Sequence, residues 1–156
     1  MAATLRYNLK DSFVLFPKNL PQAHDQAVKF KRDKDAKERT RRIKNLSIAL
    51  AEKYLLTQNG LTLIPPKTPE EIVHEGHVLH HCVGNYVDSV SEGKRVILFL
   101  RKADAPDTPF YTVDISGGKV TQVRGKNNCE ATPEIRKFMQ AFDRKVLRTP
   151  PTKKAA

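Results

Sequence analysis

The segment Arg95-Val-Ile-Leu-Phe-Leu-Arg101 constrains the fold more than any other part of the chain, because its apolar residues occupy both faces of an extended strand. Such a strand belongs in the interior of a sheet. Two more strand patterns follow, Phe110 to Ile115 and Lys119 to Arg124, with Ser116-Gly117-Gly118 between them as a tight hairpin turn. Upstream, Thr68-Pro69-Glu70-Glu71 starts a helix: Thr68 caps, Pro69 fits the first turn, and Glu71 completes a capping box at the positive end of the dipole. Taken as one regular helix, it runs to about Glu92 with Ile72, Gly76, Leu79, Val83, Tyr86 and Val90 on its core stripe, and Gly93 closes it. Thr132-Pro133-Glu134 caps a last helix that carries Ile135, Phe138, Phe142 and Val146 on one face. The expected class is α+β: a basic helical arm followed by a helix, a three-stranded antiparallel meander and a helix.

The arm precedes this core. Pro21 suits a helix start, and Ala23, Ala27, Phe30, Ile43, Leu46, Leu50 and Leu55 recur at helical steps, so one long helix or two collinear ones are expected, ended by Asn59-Gly60. Leu61 to Ile64 reads as a short strand before Pro65-Pro66. Ahead of the arm, Asp11 to Leu20 clusters apolar residues around Pro17 and reads as a docking loop or short helical turn. The expected organisation is an N-terminal segment and basic arm over 1–60, the α+β core over 61–148, and a disordered tail over 149–156. A chain of 156 residues, 39% hydrophobic and 29% charged, supports one core of modest size.

The 28 Lys and Arg outnumber the 17 Asp and Glu, for a net charge of +11, which draws the chain toward polyanions. Nucleic acid, DNA or RNA, is the expected partner, with acidic proteins as the alternative. No apolar run is long enough to span a bilayer and the N-terminus lacks signal-peptide order, so no membrane association and a cytoplasmic location are expected. Cys82 and Cys129 are too few for a disulfide scaffold and are expected as free thiols. The charge concentrates between Lys29 and Lys44, where nine basic residues face three acids. Lys29, Lys31, Arg32, Arg39, Arg41, Arg42 and Lys44 are the expected nucleic-acid contacts on the arm.

Two polar clusters carry the candidate chemistry, Glu75-Gly-His-Val-Leu-His-His-Cys-Val-Gly-Asn-Tyr86 and Gln122-Val-Arg-Gly-Lys-Asn-Asn128. Glu75-Gly76, Leu79, His81-Cys82-Val83 and Tyr86, then a strand ending in Arg101, then Thr112, then Gln122-x-Arg124-Gly125-x-x-Asn128, resemble the PcfJ-like family. Phe16-Pro17-Lys-Asn-Leu20 and His24-Asp25 extend the resemblance over nearly the whole chain. It implies an association with conjugative plasmids, phages and other mobile elements, and no particular reaction.

On a regular helix His80, His81 and Cys82 spread about 200° around the axis, with Cys82 near the core stripe and His81 nearly opposite. Cys82 is then expected to be mainly structural, unless Gly76 or Gly84 distorts the helix. His74, His77 and His81 share a face at steps of three and four, a spacing able to grip a metal, but an exposed His-rich face is the simpler account and no metal or cofactor is expected. In the second cluster a two-residue hairpin loop sets Val120 opposite Ile115 and places Gln122 and Arg124 near Val113 and Tyr111, whereas a three-residue loop sets Gln122 opposite Thr112. In both registers Gln122 and Arg124 share a face. With Arg101, Lys126, Asn128 and the backbone N–H groups of the turn, they suit a phosphate.

The expectation is therefore a nucleic-acid-binding accessory protein of a mobile element with a pocket of His81, Arg101, Gln122, Arg124 and Asn128. As a metal-independent nuclease it would use His81 for proton transfer and the arginines for charge stabilisation. One alternative is a hydrolase or transferase with Cys82 as nucleophile and Gln122 as oxyanion donor. The other is a non-catalytic adaptor for nucleic acid or acidic proteins.

Overall fold

A computed structural model describes residues 20–149. The expectations for 11–19 and for the tail from 150 onward lie outside the described residues. The chain divides into two compact units at Glu38/Arg39, inside the first helix. That helix, α1, runs unbroken over Leu20–Tyr54. From residue 21 to residue 38 its side chains are largely exposed, and half of them are charged. In the second unit Ile43 and Tyr54 are buried, because the apolar residues that are sparse between Lys31 and Arg42 return there.

The second unit is α+β. Its sheet has five strands, β1 (Leu56–Gln58), β2 (Leu61–Ile64), β3 (Val96–Lys102), β4 (Tyr111–Ser116) and β5 (Lys119–Arg124), antiparallel and adjacent in chain order. The expected meander corresponds to β3–β5, and β1 and β2 extend it. Asn59-Gly60 is not the helix stop. Both residues have positive φ, 51° and 74°, and Gln58 pairs with Leu61 across them, so the dipeptide closes a two-residue hairpin between β1 and β2.

Both faces of β3 are covered, as its composition demands. Leu98 and Leu100 join Leu63, Val113 and Ile115 against Ile135, Phe138 and Phe142 of α4 (Pro133–Phe142). Ile97 and Phe99 lie with Ile43, Ile72, Val83 and Val90 on the other side. Thr132 caps α4 by accepting the Ile135 N–H, and Thr68 caps α2 (Pro69–Leu79) by accepting the Glu71 N–H.

The helix expected over 69–92 stops early. α2 ends at Leu79, His80 takes the left-handed conformation (φ 53°, ψ 50°), and the His81 N–H returns to the Gly76 carbonyl at 3.1 Å. A 3-10 segment, Cys82–Tyr86, and a short α3, Val87–Ser91, follow. The break is a packing event between glycines: a Cβ on Gly76 would lie 2.7 Å from the Gly84 nitrogen and 3.0 Å from the His81 carbonyl oxygen. Only hydrogen at position 76 lets the 3-10 segment lie that close on α2.

The β4–β5 hairpin starts as a two-residue loop, with Ser116 opposite Lys119 and Ile115 opposite Val120. A bulge then intervenes. Asp114 faces Gln122 and Thr112 faces Arg124, leaving Thr121 as the extra residue, its hydroxyl donating to the Asp114 carbonyl at 3.1 Å. Gln122 and Arg124 are therefore on the Thr112/Asp114 face of the sheet and not beside Val113 and Tyr111, because one inserted residue exchanges the faces of everything beyond it.

Candidate functional site

The site is organised around a buried carboxylate. Glu75, on α2, has no exposed surface, and ionic burial is tolerated only when charge and lone pairs are met. Arg101 of β3 answers it bidentately, Nη1 to Oε1 at 2.9 Å and Nη2 to Oε2 at 2.5 Å. The Thr112 hydroxyl of β4 donates to Oε1 at 3.0 Å. That hydroxyl has one proton, and Glu75 takes it, so the 3.2 Å contact between Thr112 Oγ1 and His81 Nε2 makes His81 the donor. His81 Nδ1 then has a free lone pair, and it accepts the Val83 N–H at 3.5 Å. Burial lowers the His81 pKa, outweighing the nearby Glu75 charge, and so favours the neutral ring.

Above this layer, His81, Cys82, Tyr86, Gln122, Arg124 and Asn128 line one small depression. The break at His80 is what brings His81 there, reversing the expectation of a regular helix. His81 turns toward the sheet while Cys82 is exposed, so the expectation that Cys82 leans toward the core is corrected. Cys82 Sγ lies 3.2 Å from the Tyr86 hydroxyl, a hydrogen bond that raises the Tyr86 pKa. The Arg95 guanidinium stacks 4.0 Å over the Tyr86 ring and pairs with Asp114 at 2.7 Å. Burial raises the Asp114 pKa against the opposing pull of Arg95.

Arg101 does not reach the depression. It is 4% exposed and committed to Glu75, which corrects its expected place as an anion ligand: its guanidinium positions Glu75 and, through Thr112, His81. Arg124 is half-buried and 3.5 Å from Glu130, leaving it beside the exposed Gln122. Asn127 and Asn128 of the Lys126–Asn128 turn have positive φ, 54° and 61°, and Lys126 is exposed outside the depression. Gly125 is dictated by packing, since a Cβ there would lie 2.8 Å from the Tyr111 ring and 2.9 Å from Cys129 Sγ.

Sequence reasoning left Glu75 out of the site. Its signal was nonetheless present: Glu75 is three residues after Ile72 and four before Leu79, on the apolar stripe of α2, where a carboxylate requires a buried cation. His74 and His77 line a different, open groove with Val73 and Asp88, and the described residues contain no group of three or more side chains placed to hold a metal. On α1, Lys29, Lys31 and Arg32 are exposed in the first unit, and Arg41, Arg42 and Lys44 in the second. Arg39 instead pairs with Asp88 at 2.8 Å. No described helix is long and apolar enough to cross a membrane.

An uncharacterized protein of Listeria innocua is 35% identical over 126 residues, which is 78% of this chain and 27% of the relative, so the chain spans about a quarter of that protein's length. No solved structure matches the chain. The sequence pattern described as PcfJ-like protein matches residues 1–139, taking in both polar clusters and the Glu75, Arg101 and Thr112 positions that hold His81. On that match, the chain belongs to the PcfJ-like protein family.

Proposed function

We propose that this chain is a nucleic-acid-binding accessory protein of a plasmid or phage, which engages phosphates along α1 and receives one phosphate-sized anion in the depression beside Arg124. The observation that carries the reading is the cation density of α1, nine basic residues against three acidic ones between Lys29 and Lys44. The mobile-element setting rests on the family alone. Arg124 supplies the charge for the bound anion, with Gln122 and Asn128 as amide donors. In a metal-independent nuclease built on this site, Arg124 stabilises the developing charge, and His81, its Nε2–H held by Thr112, takes up a proton at Nδ1 only by giving up the long 3.5 Å bond that Nδ1 accepts from the Val83 N–H.

The test is a salt titration of duplex binding. Replacing Lys29, Lys31 and Arg32 together by Ala is expected to lower the slope of log affinity against log salt by about 2 to 3, the contribution of three lost phosphate contacts. These residues are exposed, whereas Arg39 is left intact because it holds Asp88. An unchanged affinity and slope would remove α1 from the interface.

A second reading has its own support. The exposed Cys82 thiol shares the depression with His81 and Gln122 and contacts the Tyr86 hydroxyl, an arrangement suited to a cysteine nucleophile. Cys129 is also exposed and provides an internal standard. An activated Cys82 is expected to be alkylated by iodoacetamide at pH 7 at least about tenfold faster than Cys129 in the native protein. Equal rates would discard the nucleophile.

A further inference from the structure

A groove of about 800 Å³ opens between the Gly117-Gly118 turn and the end of the C-terminal helical segment. It is on the α4 side of the sheet, where Val120 packs, and is built from none of the residues of the His81 depression. Its chemistry has two layers. Val120, Met139 and Leu147 supply apolar surface at the floor, and Lys119, Arg136, Arg144 and Arg148 supply cations around it.

The four cations are unevenly used. Arg148 pairs with Asp143 at 2.7 Å, the one carboxylate among the described residues that line the groove. Arg136 donates Nε to the Ala131 carbonyl at 3.0 Å and is 4.0 Å from Glu130. Lys119 and Arg144 are exposed and make no ion pair among the described residues. Beyond Phe142 the helix widens into a π-turn over Asp143–Leu147, closed by the Arg148 N–H on the Asp143 carbonyl at 2.9 Å. Such wide turns recur at functional sites because the inserted residue redirects the side chains that follow.

We propose that this groove is a docking site for an acidic protein segment carrying apolar anchor residues. Charge and floor together select this occupant. A phosphodiester backbone would meet the cations but would set polar sugar and phosphate against Val120 and Leu147, gaining nothing from the floor. An acidic segment with leucines one helical turn apart satisfies both layers, carboxylates on Lys119 and Arg144 and leucines on the floor. The inference is independent of nucleic-acid binding by α1.

Fluorescence anisotropy with three probes tests it. They are a labelled Glu-rich peptide with two leucines four residues apart, the same peptide with both leucines replaced by serine, and a labelled single-stranded oligonucleotide. The leucine peptide is expected to bind saturably, and the serine peptide at least about fivefold more weakly, since two apolar contacts are lost. In the Lys119→Glu/Arg144→Glu variant, both of whose sites are exposed, leucine-peptide affinity is expected to fall at least about tenfold while oligonucleotide affinity is unchanged. Equal binding of the two peptides, or peptide binding that survives the double substitution, overturns the proposal. Oligonucleotide binding that falls in the variant assigns the groove to nucleic acid and overturns it as well.

Discussion

Glu75→Ala is expected to lower the unfolding free energy by about 3 to 5 kcal/mol, because it leaves the Arg101 guanidinium buried without its counter-charge. The Thr112 hydroxyl loses its acceptor at the same time. Urea unfolding followed by circular dichroism measures the change. The double substitution Glu75→Leu/Arg101→Met tests the cause, since it removes both charges and keeps similar volume. Replacing a whole buried pair by apolar groups is often neutral, so the double variant is expected to recover most of the loss. A Glu75→Ala cost below about 1 kcal/mol would mean that the pair is solvated and weak, as surface pairs are. A double variant as unstable as Glu75→Ala would place the loss in packing instead of charge.

Gly76→Ala is the second large effect, and there two terms of opposite sign compete. Alanine favours a helix interior over glycine by about 1 kcal/mol. Against that, the new Cβ would meet backbone at 2.7 Å and 3.0 Å, on Gly84 and His81, and neither atom is the end of a flexible side chain. Forcing such groups apart costs about 1 to 3 kcal/mol or more, so a net destabilisation is expected. Gly84→Ala provides the control: its Cβ would find only an ordinary 3.5 Å contact with Val73 Cα and is expected to be milder. The displaced backbone in Gly76→Ala leads directly into His81 and Cys82, so any difference in alkylation rate between Cys82 and Cys129 is expected to shrink in that variant. Equal tolerance of alanine at 76 and 84 would show that the close approach does not shape the site.

These effects mark where the sequence is legible. Thr68 and Thr132 act as caps because a hydroxyl at that position satisfies a helix N–H within three residues, an interaction visible in a short window. The two-sided apolarity of Val96 to Leu100 likewise implies an interior strand, and β3 has neighbours on both edges. Asn59-Gly60 was legible too, but as a hairpin turn; the helical spacing that included Leu55 concealed a strand of only three residues.

The sequence by itself determined the α+β class, the strands β2 to β5, where the two capped helices start, and which polar clusters lie at the element ends, because capping, side-chain alternation and turn chemistry act over a few neighbouring residues. Tertiary structure decided what those clusters do. Glu75 and Arg101 are 26 residues apart, and only the packing of α2 on β3 makes them partners. The left-handed turn at His80 is unfavourable locally and persists because Gly76 and Gly84 let two segments close on each other, which turns His81 to Thr112 and leaves Cys82 exposed. The bulge at Thr121 moves Gln122 and Arg124 onto the same side. Each of these choices is a local conformation of modest cost selected by contacts remote in sequence, and together they assemble the depression from residues that a regular helix and a regular hairpin would have separated.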